Sequence, residues 1–410
     1  MYSNRLLINS RRLLRSLQFS RSYSVYTFGS GIVGSLGHGD FEDLTKPKKV
    51  QALEGNNIVQ ISAGWGHSAC VTSDKEVIIF GRTQDIKQII GAGNWITYGN
   101  EFARKFSYLF KKTIVDTLYP TRLPLEQDHA RQVSASAALT ACCTEEGHVY
   151  TYGYNKYGQC GVDSNKFNFF DAQRVPLRNE DHIIQVSCGF QHVAALSDKG
   201  KVFTWGKAER GQLGVTPREM IPKPVWVETM DGIHVQKVFT GFNSTFMLDD
   251  HNDLYVCGKY WSPAINEKKD TIYADQGIPR KLDLPTSPVT LGVGQFHLSY
   301  QDSHGDLFLL GMEDGLTSKL KSINEEEERD NFDRMHHIPV QVDTTSIQNI
   351  LFKKIVCSGT DCYGITNDGY VYQWNWLHVP EHVTLYDDLF VEDLSFGWKH
   401  TMVLGTERNK

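Results

Sequence analysis

The sequence predicts an all-β fold, a seven-bladed β-propeller, because two short features recur along it at a regular spacing. The first is an apolar strand that ends in a bulky residue and glycine, mostly at intervals of 52 or 53 residues: Gly29, Gly81, Gly153, Gly206, Gly258 and Gly311. The second is a small residue before another short strand: Gly64, Ser136, Gly189, Gly241, Gly294, Gly359 and Gly397. Repeats of about 40–50 residues that carry four short strands are typical of propeller blades, and seven repeats predict seven blades.

The first 23 residues differ in composition from everything that follows. They contain five arginines and no acidic residue. On a helix their leucines gather on one side and the arginines spread over the other, which is the pattern of a mitochondrial transit peptide. Arg21 stands three residues before Ser24, so cleavage is predicted between Tyr23 and Ser24, leaving residues 24–410 as a single propeller. The competing interpretation of residues 1–23 is a basic arm that binds anionic partners.

The most complete repeats begin near Val25, Val149 and Val202. Residues 149–161 read VYTYGYNKYGQCG, and residues 186–200 read VSCGFQHVAALSDKG. These segments resemble the repeat of the regulator-of-chromosome-condensation (RCC) family, in which an aromatic-x-W-G-x-N-x-x-G-Q-L-G segment is followed by G-x-x-H-x-x-A-L-T-x-x-G. The resemblance runs from Val25 to about Leu404 and implies seven blades of RCC type.

The second repeat is 72 residues long, and its excess forms an insertion over about residues 82–130. Residues 101–120 read EFARKFSYLFKKTIVDTLYP, with apolar residues on one arc of a helix, basic residues opposite and Pro120 at the end. One interpretation is a helix that packs on the propeller's flank with a solvated basic side. The other is a docking element for a protein partner or an anionic membrane surface. The partner-contact candidates are Arg104, Lys105, Phe106, Phe110, Lys111 and Lys112.

The last repeats are also irregular. A second insertion is expected over about residues 312–338, where the chain is acidic. The final copy of the first feature, Trp374-Asn375, has lost its glycine, and the last repeat is short. Because a ring must close to remove exposed strand edges, the strand at residues 25–28 is predicted to share or adjoin a blade with strands from Tyr370 onward.

Charge and hydropathy limit the choice of partners. The net charge is −6, and loss of the five amino-terminal arginines takes it to −11. A chain this acidic has no general attraction for nucleic acid, so direct nucleic-acid binding is not expected. No stretch approaches 18 uninterrupted apolar residues, which predicts no membrane-spanning helix.

No catalytic, cofactor-binding or metal-binding residues are predicted. Residues 29–34 form a literal G-x-G-x-x-G, but another turn follows instead of the helix that a dinucleotide site needs. The histidines three residues after the second feature are interpreted as a repeated hydrogen bond inside each blade rather than as metal ligands: His67, His192, His297 and His400. The eight cysteines include no C-x-x-C pair, and they are interpreted as small apolar residues.

The RCC resemblance and the amino-terminal segment together favour a non-catalytic mitochondrial protein, in the matrix or at the matrix face of the inner membrane. We expect it to bind, and help to assemble or regulate, a larger complex such as the ribosome or a respiratory complex. The alternative that the resemblance implies is a guanine-nucleotide exchange factor for a mitochondrial, dynamin-like GTPase. An enzyme is the least favoured class, since no acid–base or nucleophile spacing stands out.

Overall fold

A computed structural model describes residues 22–82, 117–178, 180–258, 277–312, 335–347 and 350–408. These residues form seven antiparallel sheets of four strands each, joined by turns and short 3-10 segments, and no α-helix occurs among them. The predicted all-β, seven-bladed propeller is confirmed. The described residues also contain no helix long and apolar enough to cross a membrane.

Twenty-eight strands build the blades, and the inner strand of each blade is named first. Blade 1 contains β27 (Leu389–Phe396), β28 (His400–Glu407), β1 (Ser24–Gly29) and β2 (Leu44–Lys49); blade 2 contains β3 (Ile58–Ala63), β4 (His67–Thr72), β5 (Val77–Gly81) and β6 (Thr117–Leu123). Blade 3 contains β7 (Ala130–Ala135), β8 (Leu139–Thr144), β9 (Val149–Tyr154) and β10 (Asn168–Arg174); blade 4 contains β11 (Ile183–Cys188), β12 (His192–Ser197), β13 (Val202–Lys207) and β14 (Met220–Trp226). Blade 5 contains β15 (Val235–Thr240), β16 (Ser244–Asp249), β17 (Leu254–Gly258) and β18 (Arg280–Lys281). Blade 6 contains β19 (Thr290–Val293), β20 (His297–Gln301), β21 (Leu307–Met312) and β22 (Met335–Val342); blade 7 contains β23 (Phe352–Ser358), β24 (Asp361–Thr366), β25 (Val371–Trp374) and β26 (Glu381–His382).

The apolar core is divided among the spaces between neighbouring blades. One cluster of buried side chains fills each of the seven blade–blade interfaces of the described structure. Strands such as β4, β8 and β12 are buried at every position because a blade covers each of their faces. Their sequences are therefore continuous runs of small apolar and hydroxyl residues rather than an alternation of polar and apolar ones.

The ring closes by pairing the start of the chain with its end. β1 pairs with β28 in antiparallel register, from Ser24 opposite Gly405 to Gly29 opposite His400. The predicted sharing of a blade by the first strand and the last strands is confirmed. This pairing completes the four-stranded sheet of blade 1, so that β1 and β28 leave no open edge toward each other, which stabilises the closed ring.

Glutamine side chains join the inner strands of successive blades. Gln132 Nε2 donates to the Val186 carbonyl oxygen at 2.9 Å, and the Val186 amide donates back to Gln132 Oε1 at 2.7 Å. Gln60 and Gln185 make the same pair of bonds to Val133 and Val238. These amides replace the backbone pairing that strands in different sheets do not make with each other.

Both predicted insertions are shorter than expected. Thr117–Leu123 is strand β6, so the carboxyl end of the predicted helix is a strand. β6 lies at the outer edge of its sheet, where the missing N–H of Pro120 removes no ladder bond. Residues 335–337 belong to β22 rather than to the acidic insertion. The rest of the helix and all six partner-contact candidates (Arg104, Lys105, Phe106, Phe110, Lys111 and Lys112) lie in residues 83–116, outside the described residues.

Candidate functional site

Five aromatic side chains meet at one end of the propeller axis: Trp65, Phe190, Phe242, Phe296 and Trp398, here called the axial aromatic cluster. The Trp65 ring centroid lies 4.8 Å from that of Phe190 and 5.1 Å from that of Trp398. The rings of Phe190 and Phe242 are stacked at 4.0 Å, and Phe296 follows Phe242 at 5.1 Å. Trp65 of blade 2 also lies 6.3 Å from Phe242 of blade 5. Blades 2 and 5 stand on opposite sides of the ring, so the cluster crosses the axis.

The turn between the first two strands of a blade positions each of these residues. Trp65, Phe190, Phe242 and Trp398 directly follow the small residue of the second recurring feature. Backbone bonds hold neighbouring turns together, as from the Phe242 amide to the Gln295 carbonyl oxygen at 3.0 Å. Trp398 is 38% exposed and the other four rings are half-buried. Lys399 Nζ lies 5.2 Å from the Trp398 ring, which adds a cation at the rim of the cluster.

The described ends of the long connections of blades 2, 5 and 6 lie on the same side of the propeller as the cluster. In blade 2, Gly81 pairs with both His67 and Thr117, and the Arg82 amide donates to the Gly66 carbonyl oxygen at 2.8 Å. The described ends of the segment that carries the six partner-contact candidates therefore lie beside the Trp65 turn. Sequence reasoning found this segment but not its relation to the cluster.

Directly below the cluster, histidines join one blade to the next. Nε2 of His67, His192 and His400 lies 2.9–3.0 Å from the hydroxyl oxygens of Thr140, Thr245 and Ser68, respectively. Burial lowers the pKa of His67 to about 3 and the pKa values of His192 and His400 to about 4, so these rings are neutral. For these three histidines the sequence-based interpretation as a hydrogen bond is right, but the bond crosses between blades rather than staying inside one. The reason is that adjacent blades pack closely enough for the ring to reach the neighbouring strand.

The glycine before each of these histidines has a steric cause. A β-carbon on Gly64, Gly189 or Gly397 would clash with the imidazole ring three residues later. In blade 3, where Leu139 replaces the histidine, Ser136 takes the glycine's place and donates to the Gly189 carbonyl oxygen. The recurring small residue is thus explained by the ring that packs against it.

Blade 7 departs from the register predicted from sequence. Gly359 is one of the recurring small residues, and the same spacing of three residues predicts Cys362 at the histidine position. In the structure Cys362 pairs with Trp374, and Asn375 Nδ2 donates to Asp361 Oδ1 at 2.8 Å. Asp361 therefore occupies the histidine position and Cys362 the hydroxyl position that follows it. Asn375 stands where the other blades have glycine, and its hydrogen bond to Asp361 accompanies the replacement of histidine by aspartate. The spacing of the sequence alone did not reveal this pair.

The remaining sequence motifs have structural roles. Residues 29–34 form a turn in which the Gly34 amide donates to the Gly31 carbonyl oxygen at 2.9 Å, and a turn also follows them. All eight cysteines are buried, and burial raises the pKa of Cys143, Cys188 and Cys257 to about 12. These three thiols act as small apolar side chains, as predicted.

At the amino terminus, the predicted cleavage point lies at the start of the first strand. Ser24 is the first residue of β1 and pairs with Gly405. The Tyr23 hydroxyl donates to Glu392 Oε2 at 3.2 Å. Cleavage between Tyr23 and Ser24 stays a prediction.

Sequence reasoning missed the axial aromatic cluster. A signal was present, because an aromatic residue directly follows the small residue in four of the seven repeats and stands one position later in a fifth. The convergence of these residues is visible only once the ring is closed, since they are 52 to 333 positions apart along the chain.

The fold defines the chain as a seven-bladed β-propeller built from repeats of one type. Residues 24–378 match the family model described as the RCC1-like domain, and the chain belongs to that family. The ultraviolet-B receptor UVR8 of Arabidopsis thaliana is 29% identical over 235 residues, which are 57% of this chain and 48% of the receptor. The chain thus spans about half the length of that relative.

Solved structures show the same fold. Yeast RCC1 (Prp20), solved with Kap60, is 18% identical with a TM-score of 0.71, over 96% of this chain and 92% of that one. Human WBSCR16 is also 18% identical with a TM-score of 0.71, over 95% of this chain and all of that one. At this identity the likeness concerns the fold alone.

Proposed function

We propose that this chain is a non-catalytic propeller that binds a protein partner through the axial aromatic cluster and helps to assemble or regulate a larger complex. The observation that carries the proposal is the cluster itself. Five aromatic side chains from five blades are only partly buried at the centre of one face. Clustered aromatic residues at the centre of an exposed patch are typical of protein-binding hot spots.

The proposed compartment is the mitochondrion, in the matrix or at the matrix face of the inner membrane. The arginine-rich, acid-free residues 1–23 support this assignment. The proposed assemblies are the ribosome or a respiratory complex, and residues 104–112 are proposed to add contacts beside the cluster. The described ends of their connection, at Arg82 and Thr117, support this placement.

A second candidate is a guanine-nucleotide exchange factor for a mitochondrial, dynamin-like GTPase. Membership of the RCC1-like family supports it. One fold neighbour, yeast Prp20p, is described together with its binding properties to Gsp1p and histones. Exchange would require a face that presses on the GTPase, and the face centred on the axial aromatic cluster is the proposed one.

The test is a native pull-down of the tagged full chain from cells, with and without added GTP. The variant Trp65→Ala/Phe242→Ala should lose the partner while keeping its thermal unfolding midpoint close to that of the unchanged chain. The matched control is Phe170→Ala, which truncates an aromatic residue that is 53% exposed on the outer strand β10. This variant should retain the partner.

The identity of the partner separates the two candidates. Ribosomal or respiratory-complex proteins that stay bound in GTP support assembly, whereas a GTPase released by GTP supports exchange. If the double variant captures the same partner as the unchanged chain, the cluster is not the binding face. The charge reversals Arg104→Glu, Lys105→Glu, Lys111→Glu and Lys112→Glu test the neighbouring connection in the same assay.

A further inference from the structure

Within the described residues, the interface between blades 6 and 7 lacks the histidine–hydroxyl hydrogen bond that joins each of the other histidine-bearing blades to its neighbour. At three interfaces a buried histidine Nε2 meets a hydroxyl oxygen of the next blade. In blade 6 the histidine is His297, and the matching hydroxyl position of blade 7 is Cys362. Cys357 lies directly opposite Cys362 on the adjacent strand. An imidazole and two thiols thus replace one histidine–hydroxyl pair.

These three side chains form a compact buried group. Their ligand atoms all lie within 4.8 Å of one another, and the two sulfur atoms are 2.8 Å apart. His297 is 1% exposed, Cys357 8% and Cys362 0%. His297 Nε2 finds no hydrogen-bond partner within the described ranges, whereas at His67 and His192 the unpaired ring nitrogen is Nδ1 and Nε2 meets a hydroxyl group. A buried polar atom without a hydrogen-bond partner is destabilising, so His297 Nε2, in the same compact group as the two sulfur atoms, is open to a ligand.

We propose that His297, Cys357 and Cys362 bind a zinc ion that links blade 6 to blade 7. Imidazole nitrogen and thiolate sulfur are the ligands that zinc prefers, whereas magnesium and calcium take oxygen. Two thiolates and a neutral imidazole balance the charge of Zn²⁺, so the buried site is electrically neutral. A monovalent copper ion on the same ligands would leave a net negative charge in the core, which is unfavourable.

Binding requires a small movement and the loss of two protons. Two sulfurs on a tetrahedral zinc ion, each about 2.3 Å from the metal, are about 3.8 Å apart, so the sulfurs must separate by about 1 Å. Each thiol forms a bond to zinc and releases its proton to solvent. The Cys357 thiol then gives up its 3.4 Å bond to the Gly292 carbonyl oxygen. That oxygen or a water is left to fill the fourth position.

The experiment is metal analysis of the purified full chain after equilibration with zinc sulfate and removal of free metal. We expect one zinc ion per chain. Replacement of zinc by cobalt(II) should produce the charge-transfer absorption of thiolate ligands and the visible bands of a tetrahedral ion. Chelator treatment should lower the thermal unfolding midpoint of the unchanged chain by several degrees.

The decisive variant is Cys362→Thr, because threonine is the residue that blades 3 and 5 carry at this position, at Thr140 and Thr245. It offers His297 the hydroxyl partner that His67 and His192 have, so the blade should stay folded while bound zinc falls at least tenfold. The matched control is Cys188→Ser, since Cys188 holds in blade 4 the position that Cys357 holds in blade 7. It should keep one zinc ion.

Three outcomes would overturn the proposal. The first is a purified chain that holds no zinc although all eight thiols react with a thiol reagent under denaturing conditions. The second is a chain two hydrogens lighter than the free-thiol mass, since a Cys357–Cys362 disulfide would leave no thiolates for zinc. The third is a folded Cys362→Thr variant that binds as much zinc as the unchanged chain. Cys357→Ser provides a second variant should Cys362→Thr fail to fold.

Discussion

His400 donates a hydrogen bond from Nε2 to Ser68 Oγ at 3.0 Å, across 332 residues of chain. Ser68 Oγ in turn donates to the Ser35 carbonyl oxygen at 2.8 Å, so its own proton is committed and the histidine must be the donor. The bond joins the closing blade to blade 2. It fixes the imidazole as the neutral form protonated on Nε2.

The buried histidines predict that acid destabilises the propeller. Burial holds the pKa values of His67, His192 and His400 at about 3–4, against about 6.5 for an exposed imidazole. Below pH 6.5 the unfolded chain takes up protons that the folded chain does not. The free energy of unfolding should therefore fall by up to about 1.4 kcal/mol per pH unit for each histidine, continuing until the pH passes the folded pKa values.

Urea unfolding between pH 7 and pH 5 measures this effect, because carboxylates are largely ionised in both states over that range. The variant His192→Asn should lose about a third of the pH dependence that the three histidines produce. An unfolding free energy that is level from pH 7 to pH 5 would contradict the assignment of these rings as buried and neutral.

The glutamine links between inner strands predict a stability cost at Gln132. Replacing it with leucine leaves the Val186 amide and carbonyl without their partners, at a cost of about 2–4 kcal/mol. Urea unfolding measures the loss. Gln236→Leu, at an exposed position of β15, is the control and should cost less than about 0.5 kcal/mol.

Two glycines with positive φ allow the cost of backbone strain to be measured apart from the cost of crowding at the seam that closes the ring. Gly29 has φ +103°, and a β-carbon there would clash with the Lys399 carbonyl oxygen across the seam between β1 and β28. Gly55 has φ +83° and nothing within 4 Å of the same position. Gly55→Ala should cost about 1 kcal/mol from φ alone, and Gly29→Ala at least about 3 kcal/mol. Equal losses in a urea titration would show that the seam tolerates the extra carbon.

The amino-terminal segment predicts import and a single cleavage. Mass spectrometry of the chain recovered from mitochondria should find Ser24 as the first residue, and Arg21→Ala should block or shift the cut. A fluorescent protein fused to residues 1–23 should enter mitochondria. Retention of residues 1–23 on the mitochondrial chain, or a fusion that stays outside, would favour the basic-arm interpretation.

Much of the fold followed from local patterns. The recurring glycines and short strands predicted the blades, and the need to pair strand edges predicted closure by the first strand. The register of blade 7 was wrong by one position, because a polar pair between Asp361 and Asn375 takes the place of histidine and glycine. The end of the predicted helix was wrong because the pairing of Thr117–Leu123 with β5 outweighs a helical periodicity that covers the same residues.

The sequence by itself determined the number of blades, the turn glycines and the small residue before each histidine, because these depend on backbone conformation and on neighbours close in the chain. Only the tertiary structure decided which distant residues meet. Closure of the ring brings Trp65 onto Phe190 and Phe242, and it brings His297 onto Cys357 and Cys362. The positions of these contacts depend on the packing of whole blades around an axis, which a one-dimensional pattern does not contain.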